Sequence, residues 1–302
     1  MTHPHLPDPQ HPPVTVVGLG PMGHALAATL ADRGHTTTVW NRTPGKADSL
    51  VAKGVRRAAT VAEAVSASPL TLLCLQDYPT TDAVLAPARD ALRDRVLVNL
   101  GTGTPEEARA AVGRAADRGA RWLDGAIMVP PPLVGDPTSV FLYSGARDVF
   151  DAHRATLATL GDPRHLGPDP GLALLYNTAL LEMMYATVNG FLHATALVGS
   201  AGVPAVTFAD LALGWFMPSV LDPTFAGHLP DLDRGHYPGE LGTLEMNLHA
   251  LDHVTRTSEE QGVHTDQPRL MREIARRAVA EGHGAESYLS VLEVFKKAAR
   301  VP

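Results

Sequence analysis

Near the N-terminus, Gly18-Leu19-Gly20-Pro21-Met22-Gly23 follows the strand-like run VTVV and opens a helix-forming segment. That spacing suits a loop that cradles a pyrophosphate. Gly18 permits the tight turn, Gly20 lets the backbone approach the anion, and Gly23 lets helix and strand pack closely. The helix start, with Met22 in its first turn, offers unpaired N–H groups and a positive dipole end to the phosphates. The next strand-like run ends TVWNRTPGK. A site for NAD places Asp or Glu here to bind the ribose 2′-hydroxyl. This chain carries Asn41, Arg42, Thr43 and Lys46. A 2′-phosphate would be repelled by a carboxylate, whereas Arg42 can hold it bidentately and Thr43 and Lys46 can add a hydroxyl and a charge. The expected cofactor is NADPH.

Asn99 and Thr102, in NLGTGTP (99–105), close another strand-like run. Such positions face the crevice where open parallel sheets bind ligands, and Asn99 is counted with the cofactor contacts. The His residues are scattered, and neither H-E-x-x-H nor paired Cys occurs, so no metal is expected.

The elements that must position these residues form a pattern. From residue 14 to about 165, short apolar runs alternate with helical segments, the signature of a parallel sheet built from βαβ units. TTTVW, PLTLLCL, RVLVNL, RWLDGAIM and SVFLYSG read as further strands, and 147–160 as a closing helix. Gly and Pro punctuate 167–170, and the remainder of the chain reads as helical: 172–200, 206–220, 239–261, 267–281 and 286–300. The expected division is a tail (1–13), a Rossmann domain (14–168) and an all-α domain (169–302).

The 172–200 stretch is nearly all apolar, with one formal charge, Glu182. As a helix it would be roughly 40 Å long. Apolar residues on every face mark a helix that is buried all round or spans a membrane. Asn177, Glu182, Asn189 and His193 interrupt it, and no aromatic belt or basic flank accompanies it, so burial between domains or subunits is expected. The 302 residues suit two domains, and the net charge of −7 argues against a nucleic-acid partner. The single cysteine, Cys74, fits a reducing compartment. The Pro- and His-rich first thirteen residues lack an apolar segment and read as a disordered tail, not a signal peptide. A cytoplasmic protein is expected.

GLGPMG, VWNRTPGKADSL, NLGTGTP, GAIMVPPPLVG and GLALLYNTALLEMMY together resemble the imine reductases and reductive aminases, within the wider β-hydroxyacid dehydrogenase superfamily. The resemblance covers nearly everything from residue 14 to 300. It implies a Rossmann domain, one long inter-domain helix, a helical C-terminal domain and an entwined homodimer. Each cleft would then lie between one subunit's Rossmann domain and the other's helices. In the dehydrogenases a Lys on the long helix, six residues after a Gly, handles the alcohol proton. The same count from Gly171 reaches Asn177, and an amide cannot titrate. Imine reductases commonly carry Asp or Tyr there, so Asn177 departs from that pattern too.

The resemblance also places Tyr185 at the substrate nitrogen, eight residues further on the same broad stripe, and puts Trp215, Met246 and Asn247, with Thr102, in the substrate pocket. The function implied is NADPH-dependent hydride transfer to the carbon of a hydrophobic, cyclic imine or iminium, extending to a ketone plus an amine. Tyr185 and Asn177 are the catalytic candidates. The rivals are a β-hydroxyacid dehydrogenase, which would want Lys at 177, and a non-catalytic NADPH-binding sensor or partner protein.

Overall fold

The runs VTVV, TTVW, LTLL and VLVN are rich in Val, Leu and Thr, which favour a pleated, buried backbone. The computed structural model describes residues 11–297. Its strands are β1 (Val14–Val17), β2 (Thr37–Trp40), β3 (Arg56–Arg57), β4 (Leu70–Leu73), β5 (Val96–Asn99), β6 (Arg121–Ile127), β7 (Val140–Gly145) and β8 (Asp162–His165). They form one sheet in the order β3-β2-β1-β4-β5-β6-β7-β8. Strands β1 to β6 are parallel, and the order reverses beside β1.

The expectation of a uniformly parallel sheet needs one correction: β7 runs antiparallel to β6, with Leu123 opposite Gly145 and Ile127 opposite Phe141. The link between these strands contains only the 3₁₀ turn Pro131–Leu133 and no crossover helix, so the chain returns beside β6 in the opposite direction. The final strand, β8, was not expected and pairs parallel with β7.

Helices α1 (Pro21–Asp32), α2 (Asp48–Val51), α3 (Val61–Ser66), α4 (Tyr78–Leu85), α5 (Pro105–Ala116) and α6 (Arg147–Ala158) lie between or after the strands. Three have polar N-caps: Thr60, Asp77 and Thr104 accept from the backbone of Glu63, Thr80 and Glu107. At Thr104 the Glu107 carboxylate accepts in return from the cap's own N–H, completing a capping box. Two large apolar clusters make up most of the core around the sheet. One gathers Leu26, Leu30, Leu72 and Phe141, the other Leu73, Leu85, Leu97 and Trp122. Each fully buried Leu contributes about 1.5–3 kcal/mol.

The long helix α7 (Leu172–Gly199) has the expected extent. Within the single chain it is largely uncovered. Only Ala173 and Leu174 are buried, and most of its middle turns are exposed. The cover expected for an all-round apolar helix is not supplied by this chain. Two compact units divide at Glu182 and Met183, within α7, whereas the sequence pattern placed a boundary at 168. Among the described residues no helix is long and apolar enough to cross a membrane.

The second unit contains α8 (Ala205–Leu211), α9 (Asp222–Ala226), α10 (Leu229–Arg234), α11 (Leu244–Glu260), α12 (Asp266–Ala278) and α13 (Leu292–Phe295). The expected regular helix at 206–220 is corrected by a π-helical stretch, Ala212–Leu221, that joins α8 to α9 and contains Pro218. Proline lacks the N–H of the ordinary α ladder, and a wider turn accommodates it. The helix expected over 286–300 is instead a 3₁₀ turn, Tyr288–Val291, followed by one short helix. Its last residues, 298–300, and residues 1–10 of the expected tail lie outside the described residues.

Candidate functional site

The glycine loop leaves β1 at Gly18 and enters α1 at Pro21. Gly18 has φ +97°, and a Cβ there would collide with the Cys74 carbonyl. A Cβ on Gly23 would strike the Gly18 carbonyl, so α1 lies directly on its strand. Gly20 differs: a Cβ there would meet nothing within 4 Å. The first α-helical bond of α1 runs from His24 N–H to the Gly20 carbonyl at 2.9 Å, and the preceding N–H groups have no partner inside the helix. A tight turn, a close helix and an open approach are what a pyrophosphate requires.

Asn41, at the end of β2, ties this loop in place. Leu19 N–H donates to Asn41 Oδ1 at 2.9 Å, and Asn41 Nδ2 donates to the Thr43 carbonyl at 3.0 Å. A cleft of about 440 Å³ gathers Gly18, Gly20, Met22, Asn41, Arg42, Thr43 and Lys46. Gly23 lies behind it, against the loop. Arg42, Thr43 and Lys46 are exposed. The lining carries two cations and no carboxylate among the described residues, so a 2′-phosphate meets attraction only. Cys74 and Leu75, after β4, complete the opposite wall. Burial pushes the Cys74 thiol up to about 11, which keeps it neutral. The residues present therefore fit NADPH.

Asn99 and Thr102 do not line this cleft. Asn99 sits buried at the end of β5, in register with Asp124 of β6. Its Nδ2 donates to Asp124 Oδ1 at 2.9 Å and its Oδ1 accepts from Gly101 N–H at 3.2 Å. Thr102 is exposed in the following loop. Sequence reasoning missed Asp124 and its other partners. Tyr78 Oη donates to Asp124 Oδ1 at 2.5 Å, and Trp122 Nε1 donates to Oδ2 at 2.6 Å. Asp77, the N-cap of α4, fixes the turn that carries Tyr78. Desolvation holds the Asp124 carboxyl above the usual carboxylate range, against its three donors, and burial pushes the Tyr78 phenol up, with the Asp124 charge adding to it. A signal was available: a carboxylate inside the strand RWLDGAIM demands buried partners.

The start of α7 is clamped. Arg109 grips Asp169 bidentately at 2.9 and 2.7 Å, which holds that carboxyl below its usual range. Asp169 also accepts from Gly171 N–H, and Ser144 Oγ accepts from Ala173 N–H. Asn177, one and a half turns on, is half-buried. Tyr185, eight residues beyond it on the same helix, is 61% exposed.

In the second unit, Trp215 is exposed on the π-helical stretch and Met246 is exposed on the first turn of α11. Asn247 is half-buried, and its Nδ2 donates to the Thr243 carbonyl at 2.9 Å. Among the described residues, no three His, Cys, Asp or Glu are grouped to hold a metal ion.

Comparison with known proteins gives matches along the whole described chain. The family model for the C-terminal domain of NADPH-dependent reductive aminase-like proteins matches residues 169–297. The model for the NAD binding domain of 6-phosphogluconate dehydrogenase matches residues 13–167. The chain is 36% identical over 287 residues to an NADPH-dependent reductive aminase of Aspergillus oryzae, covering 94% of this chain and 97% of that protein. An imine reductase structure from Bacillus cereus BAG3X2 is similar at a TM-score of 0.88 and 41% identity, covering 94% of this chain and 99% of that one. A reductive aminase from Aspergillus terreus, solved with NADPH and ethyl levulinate, has a TM-score of 0.87 and 39% identity over the same shares.

Proposed function

The chain belongs to the family of NADPH-dependent reductive aminases and imine reductases, and on that premise we infer its function: it is an NADPH-dependent oxidoreductase that reduces C=N bonds. Its substrates are hydrophobic, cyclic imines or iminium ions, and a ketone with an amine is the extended substrate pair. The observation that carries this reading is a likeness that runs through both units rather than through the nucleotide fold alone.

NADPH, when bound, supplies the hydride. The chain's own residues do the rest. The backbone of the 18–23 loop, with Met22, binds the pyrophosphate. Arg42, Thr43 and Lys46 take the 2′-phosphate, and Asn41 orients the loop for both. Tyr185 places its hydroxyl at the substrate nitrogen and holds or moves the proton there. A phenol hydroxyl can both donate and accept a hydrogen bond, as that role requires. Asn177 orients the substrate by hydrogen bonding without titrating. A protonated iminium is already electrophilic, so positioning and exclusion of water are the main demands. Thr102, Trp215, Met246 and Asn247 shape the pocket, with Asn99 on the cofactor side.

Residues 14–168 act as the NADPH-binding domain and 169–302 as the helical substrate and dimerisation domain of a cytoplasmic homodimer. The exposed apolar residues along α7 and the second unit support the dimer, because soluble monomers rarely show such contiguous patches. The test is NADPH consumption against cyclic imines, ketone–amine pairs and hydroxyacids. Turnover of imines is expected; oxidation of hydroxyacids with no imine reduction would overturn the reading.

A further inference from the structure

The buried network around Asp124 reaches beyond its own strand. Asp124 is fully buried, and Tyr78, Trp122 and Asn99 each donate to its carboxylate. Because the Asn99 Nδ2 must face that carboxylate, its Oδ1 is turned toward Gly101 N–H. The loop 99–103 is therefore oriented through one amide, and that amide is oriented by one acid. The same loop is seated by contact. A Cβ on Gly101 would press into the Leu75 carbonyl, and one on Gly103 would strike the Tyr78 ring. Tyr78 thus supports the loop from below while it holds Asp124 at the side.

The sheet order says which end of the cofactor this loop serves. Arg42 comes after β2, on one side of β1, while the loop comes after β5, on the other side and beyond β4. Leu75, which Gly101 touches, lines the nucleotide cleft. A dinucleotide laid across the switch point at β1, with its 2′-phosphate toward β2, extends its nicotinamide half toward β4 and β5. We propose that Asp124 is a positioning residue: acting through Asn99, with Tyr78 as its support, it sets the 99–103 loop against the nicotinamide half and the substrate carbon beside it. The proposal rests on the reductase reading above.

Asp124→Asn keeps the size of the side chain, but with its amide nitrogen in the place of Oδ1 it faces the Asn99 amide and the Tyr78 hydroxyl and frees the Asn99 amide to rotate. With a cyclic imine, kcat falls by ~10–100-fold, the scale expected when a reacting group is misplaced by about 1 Å. The NADPH Kd stays within about threefold, since the contacts at 18–23 and 42–46 are untouched. The emission of bound NADPH, which reports the surroundings of the nicotinamide, changes. Tyr78→Phe keeps the ring beneath Gly103 and removes one donor, and it shows the same pattern at ~3–10-fold, which decides the matter should Asp124→Asn fail to fold. Exchanging the pair, Asn99→Asp with Asp124→Asn, rebuilds an acid–amide bond and restores an acceptor for Gly101, so kcat recovers. Unchanged kcat and emission in a variant whose only defect is a lower Tm would overturn the proposal, as would an exchange no better than Asp124→Asn. Wild-type protein that binds NADPH yet reduces no imine would sink the reductase reading, while the emission arm would still decide the role of Asp124.

Discussion

The sheet unit and the helical unit meet the same burial problem with different resources. In the sheet unit, helices drawn from the same chain cover the strands, and Leu26, Leu30, Leu72, Leu73, Leu97 and Leu123 are almost fully hidden. In the helical unit the cluster of fully buried apolar residues is Leu244, Ala275 and Ala278, while Leu241 is 95% exposed and Val206 83%. A parallel sheet needs two layers of helices, and its crossovers deliver them as the chain is made. A helix with apolar residues on several faces needs neighbours on several sides, and the helical unit alone forms too few. The first unit thus hides its apolar residues within its own chain, and the second leaves many of them exposed, as the proposed homodimer requires.

The strongest test of that contrast places charge on the exposed face of α7. Val188→Asp with Leu192→Asp should convert the protein to a monomer in sedimentation and lower imine turnover by ~10³-fold or more, since charges would have to enter an apolar interface. An active monomer would break the comparison. Next comes chemistry on the same helix. Tyr185→Phe should lower kcat by ~10–10³-fold with NADPH binding nearly normal. Asn177→Asp should keep or raise activity, because an anion near the nitrogen favours the iminium, and Asn177→Lys should lower it. Wild-type rates in Tyr185→Phe on every imine would make Tyr185 a packing residue.

The contrast is sharpened by a matched pair of truncations. Leu30→Ala, in the sheet core, should cost about 2–5 kcal/mol in denaturant unfolding, while Leu241→Ala should change it by no more than about 0.5. A smaller effect belongs to the cofactor end of the sheet unit: Arg42→Ala should raise the NADPH KM by ~10-fold and leave NADH use unchanged. The smallest concerns the clamp before α7. Arg109 holds Asp169 below its ordinary value of 3.8, so the pair stabilises the fold above that pH and the contribution is lost as pH falls through the lower folded value. Arg109→Gln should flatten the decline of Tm below about pH 4.

What could be read in the sequence was local. The strands β1, β2, β4 and β5 announce themselves by Val, Leu and Thr, and the loop between β1 and α1 by its glycines. The edge strand β8 reads DPRH, and no local property marks it; it exists because β7 lies beside it. The reversal of β7 is set by the missing crossover, not by its apolar run. Asp124 was visible as a carboxylate in a strand, but its partner Tyr78 stands 46 residues away and had no reason to be linked to it. The cover of α7 could not be located from the sequence for the same reason on a larger scale, since it is not encoded within reach of the helix.

The three glycines of the first loop would leave different fingerprints in a saturation-mutagenesis screen scored twice, once for cellular abundance and once for turnover. A side chain at Gly18 or Gly23 collides with main chain, so those positions should fail both scores. A side chain at Gly20 points into open space, so Gly20→Ala should be as abundant as wild type and still be silent in turnover. Equal intolerance at three neighbouring positions would then have two separate origins. The gap between the two scores at Gly20 gives an internal measure of how much of that loop is kept for a ligand and how much for the fold.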